Sequence, residues 1–262
     1  MNSGILTFAT RGKAFKTIGT HQKFDREAYR LMRPALKPGV FPIRKEILQF
    51  EGMGGPDGLK FKGKYKGDHL WDPINEIGQL PTWIEIHYKN LVEALEKGDR
   101  IKAAFEAGFM AHYLTDSLTP AHHLSWKLIE AEYEDASKLR KKWLYYGRKG
   151  LMSSHVAFEA GVSSSVSFGR IKTTFDKELF ERVQQKGIAA AVKEESRTIA
   201  ELHLYRKFIE KGWNVALARA VKKVIVPRIP QLIAAAWLSA YAEAGNKVDV
   251  SKTYQGKVKK NI

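Results

Sequence analysis

The residues best suited to chemistry cluster in His112-Tyr113-Leu114-Thr115-Asp116-Ser117-Leu118-Thr119-Pro120-Ala121-His122. Three metal-ligand side chains stand there: His112, Asp116 four residues later, and His122 six further on. His69 lies upstream in Gly67-Asp68-His69-Leu70-Trp71-Asp72-Pro73, and His155-Val156-Ala157-Phe158-Glu159 gives a second pair at the same spacing downstream. Residues four apart on a helix share one face, one turn apart, near enough to grip a single ion. Two such pairs and two further histidines make six protein ligands, enough for two zinc ions that keep open positions. This is the donor set of a multinuclear zinc hydrolase. Ions on phosphate oxygens offset the charge that repels a nucleophile, and they lower the pKa of water to roughly 7.

Composition narrows the donors further. The chain has 262 residues and no cysteine, which removes disulfides, thiolate zinc sites and cysteine nucleophiles together. Any metal must be held by nitrogen and oxygen, which suits a hydrolytic zinc better than a structural one. The 44 Lys+Arg against 28 Asp+Glu give a formal net charge of +16, a field that attracts nucleic acid, anionic membrane surfaces or phosphorylated substrates. Lys138 to Lys142, Lys222-Lys223 and Lys257 to Lys260 are the densest basic runs, read first as solvated faces. No apolar run approaches transmembrane length, and Met1 to Lys16 shows no continuous hydrophobic region of a secretory signal.

The elements that must hold these ligands read as helices. Phe24 to Met32 is a short amphipathic segment that stops at Arg33-Pro34. Residues 50–68, rich in glycine and lysine, read as a long loop. Trp83 to Lys97 reads as a helix closed by Gly98, and Asp99 caps the next, which runs to about Leu118. The apolar face of that helix carries Ile101, Phe105, Gly108 and Phe109 and continues into His112 and Asp116, so the ligand pair points inward. Leu124 to Tyr146 reads as one further helix. His155 and Glu159 open another, expected to end before a serine-rich loop at Ser163 to Ser167. Residues 176–219 and 228–244 supply the remaining helices, with Gly187, Gly212, Pro227 and Pro230 as punctuation. There is no internal repeat, linker or strand alternation. The expectation is a single all-α domain over residues 1–250, compact and multi-helical, with a basic, flexible tail at 251–262.

With these residues in view, the chain resembles the bacterial zinc-dependent phospholipase C family and its relatives, the single-strand-specific zinc nucleases. The shared pattern is a His, then His-x3-Asp-x5-His, then His-x3-Glu or His-x3-Asp. His69-Leu70-Trp71-Asp72-Pro73 and the run from Asn90 to Asp116 look like family sequence, and the similarity spans about residues 50–160. The resemblance implies one zinc on His69, His112 and Asp116 and a second on His122, His155 and Glu159. It also implies a third ion, shared by Asp116 and held by a His near the N-terminus together with an N-terminal tryptophan. His21 is the candidate histidine, but Met1 is not Trp and no tryptophan precedes Trp71. Two zinc ions are therefore expected, and the third is left open. Asp57, in Gly55-Pro56-Asp57-Gly58, matches the family's general base, with Glu51 as the fallback.

The function so implied is a zinc-dependent phosphodiester hydrolase that cleaves phospholipid to diacylglycerol and a phosphorylated headgroup. Lys66 and Gly58 occupy places where choline-preferring members carry aromatics, so a choline cage is not expected. Lys60, Lys62, Lys64 and Lys66 favour an anionic substrate, with Lys66 and Trp71 as candidate substrate contacts. The expected partner is a phospholipid or membrane surface, with no obligate protein partner. A zinc nuclease acting on nucleic acid is the alternative, with Trp71, Phe61 and Tyr65 as a stacking shelf. A non-catalytic, metal-containing binding protein is the third reading. His123 is an alternative to His122, Asp72 reads as a local cap, and His87 and His203 read as structural or surface groups. Family members are usually secreted, and the sequence leaves the compartment open.

Overall fold

The computed structural model describes residues 19–51, 54–61, 69–124, 150–167 and 170–256, with isolated positions from 137 to 147. Eleven α-helices are laid out among them: α1 (Thr20–Met32), α2 (Arg44–Ile47), α3 (Pro56–Phe61), α4 (Leu80–Glu96), α5 (Arg100–Ser117), α6 (Leu151–Ser167), α7 (Lys177–Lys186), α8 (Ile188–Ala200), α9 (Leu204–Lys211), α10 (Val215–Lys223) and α11 (Ile225–Glu243). The all-α expectation holds. One small departure is a two-stranded antiparallel ribbon, β1 (Trp71–Asp72) against β2 (Ile77–Gly78).

Helices α4 and α5 form an antiparallel hairpin whose turn chemistry is written in the sequence. Gly98 takes φ +68°, a conformation that favours glycine, and the Asp99 carboxylate accepts from the Lys102 N–H at 3.0 Å. Helix α11 packs against α1, α4, α5, α7 and α10 and forms the spine of the core. Its Ala234-Ala235-Ala236 run is fully buried, and Trp237 donates its Nε1–H to the Ala107 carbonyl of α5 at 3.0 Å. Small side chains let the helices approach, and the indole finds an acceptor in the core. Pro227 and Pro230 do not punctuate α11. Pro227 falls in the first turn, where a missing N–H costs little, and Pro230 is carried inside the helix by packing on both sides. Among the described residues one run, Val215–Glu243, is long and apolar enough to cross a membrane by length and composition only. Since 78% of its apolar window is buried inside the protein, it serves as core.

Four more expectations change. Helix α1 begins a turn earlier than Phe24, which brings His21 onto it. The loop expected at 50–68 contains α3, which begins at Pro56. The serine-rich segment is helical: Ser164 and Ser165 donate their hydroxyls to the Gly161 carbonyl, so their polar groups are satisfied without leaving the helix. The Thr20 hydroxyl donates to Ser163, which ties α1 to α6. The tail is also packed at its start. Tyr254 donates its N–H to Leu31 and its ring lies 3.9 Å from the Arg30 guanidinium carbon. The helix expected at 124–146 lies largely outside the described residues, as do Met1, Lys62, Lys64, Tyr65, Lys66 and residues 257–262.

Candidate metal centre

The ligand candidates are positioned by several separate pieces of chain. Helix α5 carries His112 and Asp116 on one face, and both are fully buried. His122 closes the short 3-10 turn Pro120–His122 that follows α5. His69 stands two residues before the ribbon. Asp72 holds the ribbon's bend by accepting from the N–H groups of Ile74 and Asn75, both at 3.0 Å, as expected of a local cap. His155 and Glu159 stand one turn apart on α6, and Asp57 sits in the first turn of α3.

These residues converge. The His69 Nδ1 lies 2.8 Å from Asp116 Oδ2, and the His112 Nε2 lies 3.4 Å from the same oxygen. Asp57 Oδ1 is 3.5 Å from His112 Nε2 and 3.9 Å from His69 Nδ1, so Asp57 falls among the ligands rather than outside them. On the other side, Glu159 Oε1 is 3.0 Å from His122 Nε2 and 3.1 Å from His155 Nε2. The second oxygen of Asp116, Oδ1, reaches 3.3 Å from His122 Nε2 and 3.9 Å from His21 Nε2. Asp116 therefore stands between the two sets.

The backbone selects which ring nitrogen faces inward. His122 Nδ1–H donates to the His69 carbonyl at 2.9 Å, and His155 Nδ1–H donates to the Ala121 carbonyl at 3.0 Å. Each imidazole thereby turns Nε2 toward Glu159, the kind of backbone anchoring that orients metal-ligating histidines. Neighbouring His123 turns away: its Nε2–H donates to the Ser117 carbonyl at 2.7 Å, and burial pushes its pKa down to about 4.

Burial opposes charge on the centre's groups, and charge wins on several of them. Asp116, Asp57 and Glu51 hold His112 well above the ordinary imidazole value despite burial, and Asp116 with Glu159 raises His122. Burial likewise tends to raise the carboxylates. Even so, His122, His112 and His69 hold Asp116 below the usual carboxylate range, and His122 and His155 do the same for Glu159. Two buried atoms of the centre lack hydrogen-bond partners: His112 Nε2 and Asp116 Oδ1. Ligating atoms of Asp57, His69 and His112 lie within 4.8 Å of one another, as do those of His122, His155 and Glu159. These groups could hold metal ions through nitrogen and oxygen donors.

Two buried acids escaped the sequence reading or were placed second in it. Glu51 lies 3.4 Å through Oε2 from His112 Nδ1. It arrives there because Gly108 on α5 has no side chain: a Cβ would meet Phe50 Cβ at 3.1 Å and the Ile47 carbonyl at 3.2 Å. Asp25 is buried one turn after His21 on α1, and burial together with the Glu51 charge pushes its carboxyl well above the usual range. His21-x3-Asp25 repeats the spacing of His112-x3-Asp116, which was the available signal.

Of the remaining candidates, Trp71 is 3% exposed and belongs to the core, so it offers no face for stacking. Lys66 and Tyr65, and the side chains of Lys60 and Phe61, lie outside the described residues. His87 is buried against Glu106 with Nδ1 at 2.6 Å from Oε2, and exposed His203 precedes α9 in a left-handed conformation. Neither belongs to the centre.

No protein family profile and no curated protein matches the sequence. The fold does have a counterpart: the crystal structure of Clostridium perfringens alpha-toxin from avian strain SWCP superposes with a TM-score of 0.57 at 14% identity. The match covers 87% of this chain and 65% of the toxin chain. The chain thus shares an all-helical fold with that toxin while spanning about two-thirds of its length.

Proposed function

We propose that this chain is a zinc-dependent phosphoric diester hydrolase of the phospholipase C kind. The observation that carries the reading is the position of Asp116. One buried carboxylate faces His69 and His112 through Oδ2 and His122 through Oδ1, so two ligand sets abut across a single shared group. The fold shared with alpha-toxin and the ligand pattern shared with zinc phospholipases C support the same class. Zinc, when bound by these two sets, draws charge from phosphate oxygens and makes water acidic enough to attack near neutral pH.

The chain's own residues supply the rest. The Asp57 side chain is 34% exposed, whereas those of Asp116 and Glu159 are 1% and 6% exposed. Asp57 is therefore the carboxylate of the two sets that solvent and substrate reach. Burial tends to raise it, but His112 and His69 hold it well below the usual carboxylate range, so it stays ionised and able to take a proton from attacking water. The carbonyls of His69 and Ala121 keep His122 and His155 in fixed orientations, so the ligands need no rearrangement on binding.

The substrate in this reading is a phospholipid, with an anionic headgroup favoured over choline because of the +16 charge and the lysines at 60, 62, 64 and 66. Phosphorus NMR tests it on zinc-loaded protein given anionic vesicles, choline vesicles and single-stranded DNA separately. The expected result is a headgroup phosphate monoester, released fastest from the anionic vesicles. Nucleotide products with intact lipid would transfer the chain to the nuclease reading, which the burial of Trp71 weakens. Zinc-bound protein without turnover on any of the three would leave a non-catalytic metal protein.

A further inference from the structure

We infer that a cationic cavity beside the C-terminal half of α1 binds a phosphate group carried on a small organic molecule, either a soluble phosphate ester or a phospholipid headgroup. The cavity measures about 450 Å³, within the range of small-molecule sites and larger than a bare ion needs. Arg30 on its wall lies nine residues after His21 on α1, a rise of about 13 Å. None of the residues lining the cavity belongs to the metal centre.

Separate pieces of chain enclose it: α1 through Arg30, the segment before α7 through Arg170, Lys172 and Thr174, the start of α11 through Gln231, and Tyr254. These pieces are pinned to one another. The Tyr254 N–H donates to the Leu31 carbonyl and the Tyr254 carbonyl accepts from the Phe175 N–H, both at 2.9 Å. Gln231 Nε2 donates to the Thr174 carbonyl at 3.2 Å, and the Thr173 hydroxyl donates to the Pro227 carbonyl at 3.3 Å. The walls are thus set by the fold, which lowers the cost of ordering them around a ligand.

The charge of the cavity selects the ligand. Arg30 donates through Nε to Glu27 at 2.7 Å and through Nη2 to the Thr173 carbonyl at 3.2 Å, while its Nη1 is buried without an acceptor. Its guanidinium carbon lies 3.9 Å from the centre of the Tyr254 ring, which holds the group in place. Arg170 comes no closer than 3.9 Å to the same Glu27 oxygen, and its side chain is 55% exposed. Lys172 is exposed and makes no ion pair among the described residues. Asp176, further along the same segment, is engaged by Arg228. Among the described residues, the three cations of the cavity are therefore paired with a single carboxylate, Glu27. Guanidinium and ammonium groups around one space match the several oxygens of a phosphate better than the two of a carboxylate. Ile171 and Pro227 give the wall an apolar side, suited to the carbon portion of an ester.

Isothermal titration of glycerol phosphate into the zinc-loaded full chain tests the site, with and without the uncharged chelator phenanthroline. Three proteins are compared: the unmodified chain, Arg170→Gln with Lys172→Gln, and Lys222→Gln with Lys223→Gln, which removes the same charge from exposed positions on α10. Circular dichroism verifies the fold in each condition. The expected result is binding that survives the chelator, is unchanged in the α10 pair, and is weakened about tenfold or more in Arg170→Gln with Lys172→Gln. Equal binding in all three proteins overturns the inference, as does equal weakening in both pairs or loss of binding with the chelator. If the double variant at the cavity does not fold, Lys172→Gln alone decides by the same criteria. Co-sedimentation with phosphatidylglycerol vesicles then identifies the source. Retention lowered by the cavity pair and not by the α10 pair assigns the site to a lipid headgroup. Unchanged retention beside weakened glycerol phosphate binding assigns it to a soluble ester. Neither readout requires turnover, so a chain without hydrolase activity would leave this inference standing.

Discussion

Asp116 is the residue on which the centre turns, because its two oxygens face different partners. Replacing it and replacing a ligand of one set have different expected consequences. Asp116→Asn should weaken zinc at both sets, whereas His155→Gln should remove only the ion shared with His122 and Glu159. Zinc per chain, measured by atomic absorption after dialysis, separates the two outcomes. His123 gives a second prediction at this scale. Burial lowers its folded pKa to about 4 from an ordinary 6.5, so the unfolded chain takes the proton first as pH falls. The folded state therefore loses stability between those values and no more below them, by about 3 kcal/mol at most from this group. Urea unfolding of metal-free protein at pH 7 and pH 4 should show a smaller pH difference in His123→Gln than in wild type. Much of the site was legible at this scale, since helix geometry turns a spacing of four into proximity. Glu51 was placed only as a fallback, since its closeness to His112 depends on Gly108, a contact between distant segments that no local spacing encodes.

Among the elements, the helices were readable wherever capping chemistry was explicit, as at Gly98 and Asp99. They were misread where polar or breaking residues are absorbed by tertiary structure. The serines at the end of α6 return their hydroxyls to Gly161, and Pro230 is held inside α11 by its neighbours. Gly161 illustrates how closely α6 is fitted. A Cβ there would come 2.3 Å from the Trp213 ring, which itself packs edge-on against Phe158, the residue before Glu159. Gly161→Ala should destabilise the protein by about 1–3 kcal/mol, and Trp213→Leu in the same chain should recover part of that loss. Denaturant midpoints of the two single variants and the double variant measure the coupling.

At the scale of the molecule, the proposed ligands are drawn from α3, the segment before the ribbon, α5, the turn after it, and α6. A chain without cysteine has no covalent cross-links, and ions bound here would act as its staples, closing loops between residue 57 and residue 159. Each site filled at a thousandfold excess over its Kd adds about 4 kcal/mol to the folded state, and about 2–4 °C follows from each kcal/mol. Chelation should therefore lower the unfolding temperature by roughly 10 °C or more, read by scanning calorimetry with and without zinc. The durability of the fold would then track the zinc supply around it, so the protein would soften wherever that metal is scarce and set firm where it is plentiful.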